Sequence, residues 1–216
     1  MIKFIILFST LLSAFLLRAN EGHIEYKQII ESTSINLLFD QDLRKFNKLS
    51  FKIRLTPEDQ KLNKNELILT LKGVDWERKF NADYNGNIEM EISENLYKKN
   101  PKAYLNKTGK GRVHIGLDML IKNDNSSTLK AKEVTKAISQ YNQAISEAGF
   151  IVKMMAPKLT KIRIRLINEG ICTINYSNMH STTLDNKIDH YINIESFEKT
   201  KDISCSSGFY AIYLEN

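Results

Sequence analysis

The chain has 216 residues, 42% of them hydrophobic, with nine glycines and three prolines. That balance suits a folded globular protein and excludes a disordered or low-complexity one. The formal net charge is +6, and the chain holds four histidines and two cysteines.

The first elements are targeting signals. Met1-Ile2-Lys3 is a basic start, Phe4–Leu17 carries no charge, and Arg18-Ala19-Asn20-Glu21-Gly22 returns to polar character. This three-part layout predicts a signal peptide over residues 1–19 with cleavage after Ala19. As a helix, 14 residues rise about 21 Å, short of the roughly 30 Å hydrocarbon core, so export is expected rather than anchoring. An exported, periplasmic or secreted product follows, with no transmembrane segment after cleavage. In that oxidising setting Cys172 and Cys205 are expected to form a disulfide.

Residues 23–48 predict a short helix or two, with Ile29, Ile30, Leu37, Leu38 and Leu43 as the apolar positions. From Leu49 the period becomes two. Phe51, Ile53 and Leu55 alternate with Lys52 and Arg54; Leu67, Leu69 and Leu71 follow; then come Val74, Trp76, Arg78 and Phe80. Tyr84-Asn85-Gly86-Asn87 predicts a type I′ hairpin turn leading into a strand at Ile88, Met90 and Ile92. Residues 98–112 read as a long loop broken by Asn100-Pro101 and Gly109-Lys110-Gly111, and Val113 to Ile121 is the clearest alternation in the chain.

A polar hinge at Asn123–Thr128 precedes a helix. Val134, Ile138, Tyr141, Ile145 and Ala148 share one face, with Gly149 and Pro157 ending it. Strands resume at Ile162, Ile164 and Leu166, at Ile171–Asn175, at Tyr191–Ile194 and at Phe209–Leu214. The expected fold is mainly β with α+β character. An N-terminal antiparallel β-sandwich-like domain spans residues 20–122, and a helix plus small sheet with one disulfide spans 123–216.

The order of Asp83-Tyr84-Asn85-Gly86-Asn87-Ile88, Asn100-Pro101, Asn106-Lys107-Thr108-Gly109-Lys110-Gly111 and the helix followed by Gly149 and Pro157 resembles a family of uncharacterised exported bacterial proteins carrying a domain of unknown function. The resemblance covers most of the chain beyond the signal, and Thr108 stands where such families show a proline. It implies export and a β-rich body. It brings no activity and no catalytic residues.

Charge is uneven along the chain. Residues 20–97 hold 11 basic and 14 acidic side chains, residues 98–165 hold 15 and 4, and residues 166–216 hold 3 and 7. The central block, at net +11, marks Lys98, Lys99, Lys102, Lys107, Lys110 and Arg112 as a candidate surface for an anionic envelope component or another envelope protein. Solvated lysines paired with acids from the flanking segments are the plain alternative. Export argues against nucleic acid as a partner.

Catalytic and metal motifs are absent from the sequence. No His-Glu-x-x-His, Cys-x-x-Cys or Gly-x-Ser-x-Gly occurs, and no cofactor is expected. His180, Asp185, Asp189 and His190 are the one cluster with ligand-type side chains, although adjacent Asp189 and His190 point to opposite strand faces. A non-enzymatic binding or accessory module is therefore the first expectation. The alternative is a small secreted hydrolase with its site in residues 170–210, around His180, Asp185 and His190 with Cys205 or Ser206.

Overall fold

The computed structural model describes residues 16–17, 23–39, 43–106, 112–124, 127–148 and 156–216. It is mainly β, with antiparallel sheets and three α-helices among the described residues. The residues fall into two units, Met1–Asn36 with Ile53–Leu117 and Leu37–Lys52 with Asp118–Asn216. The division falls inside two strands, β3 (Leu49–Pro57) and β8 (Val113–Ile121). Of the signal segment 1–19, residues 1–15 and 18–19 lie outside the described residues. Leu16–Leu17 (β1) pairs with Val113 and His114 of β8.

The first unit contains a four-stranded antiparallel sheet in the order β2 (Ile24–Glu25), β7 (Lys102–Leu105), β4 (Ile68–Lys72), β5 (Glu77–Asn81). Its inner face follows the alternation of the sequence. Leu69 lies opposite Leu105 and Leu71 opposite Ala103, and all four are buried. Each fully buried leucine contributes roughly 1.5–3 kcal/mol, which is what fixes the register.

Two helices tie this unit together. α1 (Tyr26–Ser32) buries Tyr26, Ile29 and Ile30, and α2 (Glu94–Lys99) begins at Ser93, whose hydroxyl accepts the Leu96 amide at 3.3 Å. α2 ends at Asn100 in the left-handed region, φ 47°. Asn100 accepts the Lys27 amide at 2.9 Å and donates to Glu25 at 2.6 Å, pinning the end of α2 to the start of α1. Residues 98–112 therefore do not form one loop: α2 and β7 occupy 94–105, because Asn100-Pro101 caps a helix here.

The Asn85-Gly86 turn also differs from expectation. β6 (Asn87–Ile88) pairs with Arg54 and Ile53 of β3, while β5 pairs with β4, so the turn passes the chain between strand pairs and closes no hairpin. Of its two central residues only Gly86 has positive φ, at 88°, so the type I′ expectation fails. Asp83 sets the turn by accepting the Asn85 and Asn87 amides at 2.7 and 2.9 Å. A Cβ on Gly86 would stand 2.1 Å from the Leu55 carbonyl oxygen, so this position requires glycine.

In the second unit β10 (Lys161–Tyr176) is the organising strand. β11 (Ser181–Asn193) pairs along one edge of it. On the other edge β13 (Phe209–Glu215) takes its first half and β12 (Thr200–Cys205) its second. β12 continues to β9 (Thr128–Lys130). Ile162, Ile164, Leu166, Ile192, Ile212 and Leu214 are buried. α3 (Ala131–Glu147) packs on β12 and buries Val134, Ala137, Gln140, Tyr141 and Ala144. Ile138 and Ile145, expected on the inner stripe, are only half-buried, because small alanines let α3 approach along a face rotated from theirs. Gly149 lies outside the described residues.

Cys172 and Cys205 form the expected disulfide, S–S 2.01 Å, across directly opposed positions of β10 and β12. Nearby, β10 shifts register between Arg165 and Gly170. A Cβ on Gly170 would come within 2.9 Å of the Ser206 Oγ and 3.1 Å of the Ser207 Cβ. A side chain there would make these neighbours shift by a few tenths of an ångström.

Candidate functional site

The sheet's outward face carries a row of charge across all four strands. Glu25 on β2 lies opposite Lys102 on β7, Lys102 opposite Lys72 on β4, and Lys72 opposite Glu77 on β5. The order across the sheet is thus minus, plus, plus, minus. Lys72 donates to Glu77 at 2.9 Å, and Lys79 reaches the other Glu77 oxygen at 3.5 Å. The bond holds the Lys72 ammonium above its ordinary value and the Glu77 carboxyl below the usual carboxylate range.

One step along the strands, Tyr104 lies opposite Thr70 and Thr70 opposite Lys79. The Lys72 Nζ sits 5.4 Å from the centroid of the Tyr104 ring, and the His23 ring lies 5.7 Å away on a tilted plane. A cation over an aromatic face is favourable, and Tyr104 stands two positions along β7 from Lys102. Like charges directly opposed on a sheet repel, and an anionic group bridging them removes that cost. Two opposed lysines on one sheet face have the charge and the donors that attract phosphate, sulfate or carboxylate groups.

The chain matches no family model, no curated protein and no solved structure.

The candidate basic residues from the sequence are distributed over several elements. Lys98 and Lys99 close α2, where cations favour the helix C-terminus, and Lys98 is paired with Glu94 at 2.5 Å. Lys102 alone lies in the charged row. Arg112 is exposed at the start of β8, its carbonyl accepting the Glu58 amide at 2.9 Å. Lys107 and Lys110 lie outside the described residues. Sequence reasoning missed Lys72 as the residue opposite Lys102, with Lys79 bonded to Glu77 and His23 against Tyr104 nearby. Only the β4–β7 register brings residues 72 and 102 together.

The hydrolase alternative finds its residues apart. His180 is exposed in the turn that joins β10 to β11, and Asp185 is exposed and paired with Lys187 at 3.3 Å. His190 is buried, its Nε2 lying 3.0 Å from the Gly170 carbonyl and 3.1 Å from that of Lys187. A nitrogen facing two carbonyls must carry the proton, so it serves the bulged backbone as a donor. His190 lies on β11 ten positions beyond His180 in the turn before it, roughly 30 Å at about 3.3 Å per residue. Ser206 accepts the Ile171 amide at 3.0 Å, and Cys205 is in the disulfide. Among the described residues no three His, Cys, Asp or Glu side chains converge on one point.

A shallow groove of about 240 Å³ in the second unit is lined by Ile121, Asn123, Asp124 and Phe209–Ile212. It is smaller than the roughly 300–1,000 Å³ of small-molecule sites and contains no nucleophile–base pair. Among the described residues no helix is long and apolar enough to cross a membrane.

Proposed function

We propose that the protein is an exported, non-enzymatic envelope-binding module that holds anionic groups on the outward face of the β2–β7–β4–β5 sheet. The observation that carries this reading is the direct opposition of Lys72 and Lys102 beside Tyr104. Export is supported by the uncharged segment Phe4–Leu17 after a basic start and by the Cys172–Cys205 disulfide, which oxidising compartments favour. Sandwich-like packing of residues 20–122 belongs to the same proposal, supported by the buried Leu69, Leu71, Ala103 and Leu105 on one sheet face.

The net +11 of residues 98–165 supplies the long-range attraction, and the Lys72–Lys102 pair supplies the contact. Phosphate is the chemistry that best matches two neighbouring ammonium groups. It is offered in the envelope by lipid headgroups and by phosphate-bearing polymers. Binding to phosphatidylglycerol vesicles and to soluble polyphosphate, each at low salt, separates the two sources. The K72E/K102E variant is expected to bind its target at least about tenfold more weakly, since each lysine near an anionic surface is worth about 1 kcal/mol. Equal binding by parent and variant to both targets refutes this proposed anion seat. N-terminal sequencing of the exported fraction is expected to begin after Ala19, and an untrimmed cytosolic chain refutes export.

A further inference from the structure

Among the described residues β11, thirteen residues long, pairs with β10 alone, and no strand lies along its other edge. Edge strands are ordinarily short or covered, because an open row of amides and carbonyls is a template for another strand. Here Ser181–Ile188 is exposed apart from half-buried Leu184. The open edge belongs to the most extended strand pair of the second unit.

The sequence of this edge is complementary to itself. Around Asn186 the flanking residues are Asp185 and Lys187, then Leu184 and Ile188, then Thr183 and Asp189. Running the segment antiparallel against a copy of itself, centred on Asn186, sets each Asp185 against a Lys187 and each Leu184 against an Ile188. Opposite charges and paired apolar side chains directly across a ladder are the combinations that stabilise a sheet. Shifting the centre by one residue to Lys187 instead opposes lysine to lysine and aspartate to aspartate. We propose that this edge joins two copies of the chain, β11 against β11, antiparallel about a two-fold axis through Asn186.

A two-fold axis is the symmetry that lets one surface satisfy itself and then close, leaving no further edge to propagate. Within one chain, Lys187 and Asp185 already pair at 3.3 Å, but both remain largely exposed and free to exchange partners. β11 is irregular between Leu184 and Lys187, where three of its steps span two of β10. The pairing is irregular again between Lys187 and Asp189, so the irregular stretch lies about the proposed axis, and the regular flanks 181–183 and 189–191 of one copy face regular flanks of the other. The occupant is a second copy because the charge pattern matches this segment reversed upon itself.

Sedimentation of the disulfide-bonded chain over the micromolar range tests the proposal. The parent is expected to dimerise. D185K and K187D each place like charges opposite across the axis, twice per dimer, and each is expected to raise the dissociation constant at least about tenfold. The double variant D185K/K187D restores opposite charges and is expected to recover the parent's dimerisation. Both side chains at issue are exposed, so an unchanged circular dichroism spectrum checks that the fold survives. A parent that stays monomeric overturns the proposal and makes Asp185 and Lys187 guards of the edge. Single variants that dimerise like the parent, or a double variant that does not recover, overturn it equally.

Discussion

Lys72 and Lys102 are directly opposed on neighbouring antiparallel strands, and Glu77 neutralises only the first of them. Removing that carboxylate is therefore expected to strengthen anion binding. E77Q should bind polyphosphate about threefold or more tightly than the parent at low salt, with the gain lost as salt screens the surface. The pH dependence has a definite sign. Glu77 titrates below its ordinary value of 4.5 because the bond to Lys72 favours the carboxylate. The stability that pairing contributes is present above that value and is lost as the pH falls through the lowered one. Parent binding should rise on acidification in that window, and E77Q should lack the rise.

Tyr26 is fully buried, and its hydroxyl donates to the Glu91 carbonyl at 2.8 Å while accepting the Ser93 amide at 3.3 Å. Tyr26→Phe leaves both backbone groups without this partner, at a cost of about 1–3 kcal/mol, measurable by denaturant unfolding. Burial pushes the phenol up from 10.0 to about 12. The unfolded chain releases that proton near pH 10 and the folded chain retains it until about 12, so stability falls as the pH rises through this interval. At about 1.4 kcal/mol per unit the phenol accounts for roughly 2–3 kcal/mol of the fall. The Phe variant is expected to lose that much less between the two pH values.

Opening the Cys172–Cys205 bond frees a loop with a sequence separation of 33. The C172A/C205A variant is expected to be less stable by about 3–4 kcal/mol in denaturant, chiefly through the entropy of its unfolded chain. Anion binding should be unaffected while the protein stays folded, because the charged row lies wholly in the other unit.

Gln140 holds the turn before β3 through three bonds. Its amide donates to the Lys45 carbonyl at 2.9 Å and to Asn47 at 3.0 Å, and its oxygen accepts the Lys48 amide at 2.9 Å. Lys48 in turn reaches Glu133 of α3 at 3.0 Å. Gln140→Leu keeps the volume but removes the partner of two half-buried backbone groups, at a cost of about 1 kcal/mol. Hydrogen exchange at the Lys48 amide should accelerate markedly in this variant.

The alternating leucines of β4, the run of β8 and the early part of β10 were legible because a half-buried strand imposes a period of two on its own sequence. The Cys172–Cys205 pair was legible because two cysteines leave one pairing. By contrast, α2 was missed because six residues are too few to show a helical period, and its signals are the cap at Ser93 and the stop at Asn100-Pro101. The Asn85-Gly86 turn was legible as a turn, yet which strands it served was decided by distant partners on β3 and β4. The charged row was hidden for the same reason. Lys72 and Lys102 are thirty positions apart in the chain, and neither is unusual until the strand register makes them neighbours. Residue type alone made His190 look like a catalytic base, whereas the bulge at Gly170 makes it a backbone donor.

The seat itself is tested most directly by following the lysine side-chain ammonium signals by nuclear magnetic resonance during titration with pyrophosphate. Lys72 and Lys102 are expected to shift together and saturate, with the Tyr104 ring following them, while Lys98 and Lys187 move little. Shifts spread evenly over all lysines, or absent at positions 72 and 102, contradict an anion held between these two strands.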